Sequence, residues 1–138
     1  MAPEELKDLE QMVSKVDKVS VAAQLLEAMP LPIVVADENG KIVIFNSKAA
    51  FLTGYMPSEV IGNSVELLLP IRFRDQYSQG FMQESEPKAM EVLLFLLDKK
   101  GNEISVSITW NAAMTEIGRL AVTIIQKRSE PTSGLNER

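Results

Sequence analysis

Five carboxylates in the middle of the chain could in principle do acid–base work: Glu59, Glu66, Asp75, Glu84 and Glu86. An enzyme using them on an organic substrate needs two acids converging in one pocket. All five fall in helical or loop stretches whose pattern is that of exposed surface. Two absences narrow the chemistry further. The chain has no histidine, the commonest metal ligand and the usual general base near neutral pH. It has no cysteine, which excludes disulfides, thiolate nucleophiles, iron–sulfur clusters and cysteinyl–flavin photochemistry. No GxSxG, P-loop or HExxH pattern is present. The expected function is therefore not enzymatic, and attention moves to aromatic and amide side chains: Phe73, Tyr77, Trp110, Asn46 and Asn111.

The elements that must position them follow from periodicity. Residues 3–28 read as a helix, with Pro3 in the first turn and Glu4 and Glu5 at its positive end. Leu9, Met12, Val16, Val19, Ala23 and Leu26 recur in steps of three and four, the spacing of a coiled-coil seam. That seam joins two chains or packs the helix on its own domain, and the two arrangements are compatible. Pro30 and Pro32 end the helix. Ile33–Ala36 and Ile42–Phe45 have strand composition, and Asn39-Gly40 between them predicts a hairpin with a type I′ turn.

Beyond Asn46 the pattern turns helical and short. Residues 47–55 predict a helix closed by Gly54, with Asn46 as its cap. Pro57 opens a second turn closed by Gly62. Asn63 and Glu66 fit a capping box for a third piece, residues 64–70. Residues 71–84 read as a longer helix with Phe73, Tyr77 and Phe81 near one face. Three strands follow, at 89–98, 103–114 and 120–128, the first two joined by a Gly-containing hairpin. In the middle strand Ser105, Ser107 and Thr109 alternate with Val106, Ile108 and Trp110, which predicts one polar face. The outer two are apolar at nearly every position, so they are expected to be covered on both faces. Residues 129–138 read as a polar tail or linker. The expected fold class is α+β: a five-stranded antiparallel sheet with short helices on one face and an N-terminal amphipathic helix.

At 138 residues the chain suits one domain with a real core, spanning 29–128, preceded by the helix of 1–28. The net charge of −5 and scattered basic residues argue against nucleic acid as a partner. No apolar run approaches the roughly 20 residues that cross a bilayer. The acidic start is no signal peptide, so a cytoplasmic protein is expected.

The order of these pieces resembles a PAS domain of the bacterial sensory type, from about Leu25 to Lys127. The residues that carry the likeness are Asp37-Glu38-Asn39-Gly40-Lys41-Ile42 leading to Asn46, then 49–55 (AAFLTGY), 58–62 (SEVIG) and 68–70 (LLP). Residues 71–77, 86–90 and 103–111 resemble a bacterial sensor subgroup. The resemblance implies a small cavity between helices and sheet, ligand or cofactor sensing, and dimerisation that signals to an output module such as a histidine kinase or cyclase. It places Phe51, Leu67, Phe73, Tyr77, Met90, Trp110 and Asn111 at the cavity, with Phe81 and Met82 beside them. Each of these also serves as core filling; Trp110 stacks on a flat ligand or is a large core side chain. A bound flavin is the alternative, and a carboxylate enzyme the third reading. Two departures stand out. Relatives that hold haem use a histidine in the long helix, where this chain has Tyr77. The family's C-terminal Asp-Ile/Val-Thr junction is replaced by Gln126-Lys127-Arg128.

Overall fold

A computed structural model describes residues 5–7, 21–77 and 90–128 of the chain. Residues 21–28 are helical (α1). Then come β1 (Ile33–Ala36), β2 (Ile42–Phe45), α2 (Ser47–Thr53), α3 (Pro57–Val60), a 3-10 turn (Val65–Leu68) and α4 (Ile71–Tyr77). The chain closes with β3 (Met90–Leu97), β4 (Glu103–Thr115) and β5 (Gly118–Lys127). The five strands form one antiparallel sheet in the order β2-β1-β5-β4-β3. The expected α+β class and the order of strands and short helices are both present; residues 3, 4 and 8–20 of the helix expected over 3–28 and residues 78–84 of the helix expected over 71–84 lie outside the described residues. Of the predicted seam, Leu9, Met12, Val16 and Val19 lie outside the described residues. Ala23 is exposed and Leu26 half-buried.

Register assigns the two faces. Val92, Ile108 and Ile125 lie opposite one another, as do Leu94 and Val106, and Val34 and Phe45. This face meets the short helices. Its residues join Ala49, Val60, Leu68 and Leu69 in one buried cluster. Leu93, Ser107 and Gln126 share the other face, as do Glu91, Thr109, Ile124 and Ile33. Cover on that second face is uneven. Ile33 and Val35 are buried, whereas Leu93 is 55% exposed and Val122 and Ile124 are half-buried. Full cover of β3 and β5 on both faces is thus not achieved among the described residues.

The first hairpin corrects the expected turn type. Gly40 has φ 80°, but no non-glycine residue has positive φ, so Asn39 cannot occupy a type I′ position. Gly40 N–H donates to Asp37 O and Asp37 N–H donates to Lys41 O, both at 2.9 Å. This is a type I turn followed by a left-handed glycine, a three-residue hairpin loop with a bulge. The cause is Asp37, whose carboxylate accepts from Asn39 N–H and Lys41 N–H and so fixes the loop. Residues 98–102 repeat the device: Asp98 accepts from Lys100 N–H and Asn102 N–H, and Gly101 has φ 89°. Two hairpins of different sequence therefore share one Asp-x-x-Gly solution.

Gly101 gives a direct test, since a Cβ placed there meets no atom within 4 Å. Any cost of Gly101→Ala is then purely that of the left-handed backbone, about 1–2 kcal/mol. Gly101→Asn is expected to cost less than Gly101→Ala, because Asn tolerates that region. Urea melts of the two variants compare them.

Candidate ligand site between the sheet and the short helices

β4 supplies one wall. Val106, Ile108 and Trp110 alternate onto the helix-facing side and are 0%, 8% and 8% exposed. The opposite wall is a succession of short elements, each stopped by a local signal. Asn46 caps α2, its side-chain oxygen accepting from Ala49 N–H at 3.0 Å, and Gly54 ends it with φ 83°. Glu59 turns back to accept from Met56 N–H at 2.8 Å, fixing the start of α3. Ser64 caps the 3-10 turn by accepting from Glu66 N–H. This corrects the expected cap at Asn63, whose side chain instead donates to Glu59 O. The short elements are knitted to β2 by backbone bonds: Ile42 N–H to Asn63 O, Gly62 N–H to Ile42 O, and Val65 N–H to Gly40 O.

The anticipated lining residues separate into distinct positions. Trp110 is buried in the core, and Leu67 and Phe73 are half-buried against it. Tyr55, absent from the expected set, packs there too. Phe51 is 92% exposed. Ala49 and Thr53 are the buried residues of α2, and Phe51 lies two positions from each, on the far side of the helix. Asn111 is exposed on the sheet face opposite Trp110, its side-chain oxygen accepting from Ala112 N–H. The side chains of Tyr77 and Met90, and all of Phe81 and Met82, lie outside the described residues.

At the margin of this interior is a group that periodicity alone did not single out. The Arg72 guanidinium lies 4.8 Å from the Phe73 ring centre and 5.5 Å from that of Phe95. It also pairs bidentately with Glu103, at 2.7 and 2.8 Å. Arg72 thus bridges α4 to β4 and covers aromatic surface with its plane. Lys99 and Glu59 make a second pair, tying α3 to the β3–β4 hairpin.

Chemically the interior is apolar. The buried polar residues among those described are Asn46, Thr53 and Ser107, and none is charged. Of the five carboxylates considered for catalysis, Glu59 and Asp75 are exposed and Glu66 is half-buried; Glu84 and Glu86 lie outside the described residues. Among the described residues no group of three or more acids could hold a metal ion. The helix-facing side of the sheet is thus an uncharged apolar wall packed in one buried cluster with the short helices.

This arrangement, an antiparallel sheet half-wrapped by short helices, defines a class of small α+β domain, and the comparisons give its family. The family model described as PAS fold matches residues 22–127, and the chain belongs to that family. It is similar to the PAS domain of an HTR-like protein from Haloarcula marismortui, with 20% identity and TM-score 0.68. The match covers 92% of this chain and 100% of that one. A PAS domain from a two-component sensor histidine kinase superposes with TM-score 0.70 at 9% identity, covering 83% and 99% of the two chains. The LOV domain of a blue-light activated histidine kinase from Erythrobacter litoralis gives 0.59 at 16% identity, covering 74% and 99%.

The two surface pairs carry a pH signature. The hydrogen bond from Arg72 holds the Glu103 carboxyl below its ordinary value of 4.5, and Lys99, with Met56 N–H, does the same for Glu59. A lowered folded-state pKa contributes stability that is present above the unfolded value and is lost as pH falls through the folded one. Glu103→Gln should therefore lower the melting temperature near neutral pH. The gap from the parent chain should shrink as pH drops below about 4.5, the range in which Glu103 takes up its proton. A gap that stays constant down to pH 3 would mean that the pair contributes nothing.

Proposed function

We propose that this chain is the sensory and dimerisation module of a bacterial signal-transduction protein, binding a small organic ligand between the sheet and the short helices. The observation that carries this is the buried, uncharged wall of Val106, Ile108 and Trp110, roofed by helices too short to pack as one rigid layer. Membership of the PAS family and the likeness to a histidine-kinase PAS domain support a histidine kinase as the output partner, with a cyclase as the alternative proposed. The ligand contacts proposed are Trp110, Leu67 and Phe73, with Tyr77 and Met90 on the elements that flank them. The module is not an enzyme in this proposal. It works as a homodimer through the 1–28 helix, using Leu9, Met12, Val16, Val19, Ala23 and Leu26. A cytoplasmic location is proposed with it; among the described residues no helix is long and apolar enough to cross a membrane. Composition restricts the cofactor, since histidine-ligated haem and a cysteinyl–flavin adduct have no residue to form on.

Native mass spectrometry of the untreated protein tests both halves together. The expected spectrum is a dimer carrying an additional small-molecule mass that is lost on activation. A monomer with no added mass, and no thermal shift from a metabolite library, would contradict the proposal.

A further inference from the structure

A groove of about 590 Å³ opens on the sheet face turned away from the helices. It lies where the chain enters and leaves the domain. Leu31 and Pro32, just before β1, form one side, and the end of β5 forms another. Ile125 N–H donates to Pro32 O, and Arg128 N–H to Ser105 O, both at 2.9 Å, so the two ends are held together. The C-terminal segment that departs from the family pattern, Gln126-Lys127-Arg128, lines this groove.

Three features point to a ligand. Ser107, in the groove, is only 5% exposed, and its hydroxyl has no hydrogen-bond partner among the described residues. A buried hydroxyl without a partner is costly, so such groups usually meet something. Lys127 and Arg128 line the same groove, and neither has an ion pair among the described residues; register puts Arg128 on the face of Ser107 and Lys127, opposite Val106, on the other. Glu91 supplies one carboxylate, also unpaired, on β3. Register separates the charges. Glu91 is opposite Thr109, while Arg128 bonds to Ser105, four residues further along β4. At about 3.3 Å per residue that is roughly 13 Å along the strand, so Glu91 does not neutralise the cationic end.

We propose that this groove is a second binding site, distinct from the interior, and that it takes a small monocarboxylate with a short apolar body. The carboxylate lies at Arg128 and accepts from the Ser107 hydroxyl. The apolar body rests on Leu31 and Pro32. A ligand there touches the entering and leaving segments at once.

The test is amide chemical-shift titration of the full chain with monocarboxylates of about four to eight carbons and with the matching neutral amides. Monocarboxylates should shift the amides of Ser107, Gln126 and Arg128 and leave those of Ala49, Val60 and Leu68 in place. Shifts at Ala49, Val60 and Leu68 alone would report the interior site instead and would overturn the groove. Arg128→Ala should weaken binding about fivefold or more, the scale of one charge-assisted contact, and Lys127→Ala, on the other face of β5, should weaken it less. Ser107→Ala should weaken binding while leaving the melting temperature unchanged or raised, since it removes an unpartnered buried group. No shift at millimolar ligand, or binding indifferent to Arg128→Ala, would overturn the proposal.

Discussion

Asn46 holds the domain's parts in register. It is 2% exposed, and its amide satisfies four backbone groups from three segments. The oxygen accepts from Ile33 N–H at 2.9 Å and from Ala49 N–H at 3.0 Å. The nitrogen donates to Leu26 O and Leu31 O, each at 3.0 Å. One side chain therefore starts β1, caps α2 and closes the end of α1. Glu27 adds to the joint by accepting from Ser47 N–H with both carboxylate oxygens. Buried backbone groups left without partners are costly, so few other residues could stand here. Aspartate keeps the acceptor but loses both donors.

From that joint the division of labour follows. β1 runs from Asn46's first contact into the sheet, and α2 runs from its second into the helical layer. The layer is then built of short pieces, because Gly54 and Gly62 adopt positive φ and Pro57 and Pro70 interrupt the chain. Short pieces shape themselves to the sheet one at a time, each with its own cap. The outer sheet face has a different character. It mixes Leu93, Ile124 and Val122 with Ser107, Thr109 and Glu91, so it is neither a closed core nor an ordinary wet surface.

Much of this was legible from residue order. The Asn-Gly hairpin, Asn46 as a cap, the stops at Gly54 and Gly62, and the alternation of β4 all appear where periodicity put them. The turn type was not legible from Asn39-Gly40 alone, because Asp37's carboxylate selects the loop from outside the dipeptide. Asn63 and Ser64 are both good caps, and only the bonds of residues 62–65 to β2 decide between them. Phe51 and Asn111 both point away from the helix–sheet interior. Helical spacing puts Phe51 opposite Ala49 and Thr53, and strand alternation puts Asn111 with Ser107 and Thr109. The second pair of Asn46 bonds, to Leu26 and Leu31, has no sequence signal, since it depends on how α1 returns to the sheet. The stacking of Arg72 on Phe73 and Phe95 is similarly a product of tertiary approach.

The most direct test of this account is amide hydrogen exchange on the full chain, comparing the parent with Asn46→Ala. Loss of the joint should speed exchange at Ile33, at Ala49 and in the helical turn of residues 21–28 together. Amides of the β3–β4 pair, such as Val106 and Leu94, should keep their protection. If only Ala49 responds, Asn46 is merely a helix cap, and the claim that it couples the entering helix to the sensor core is wrong.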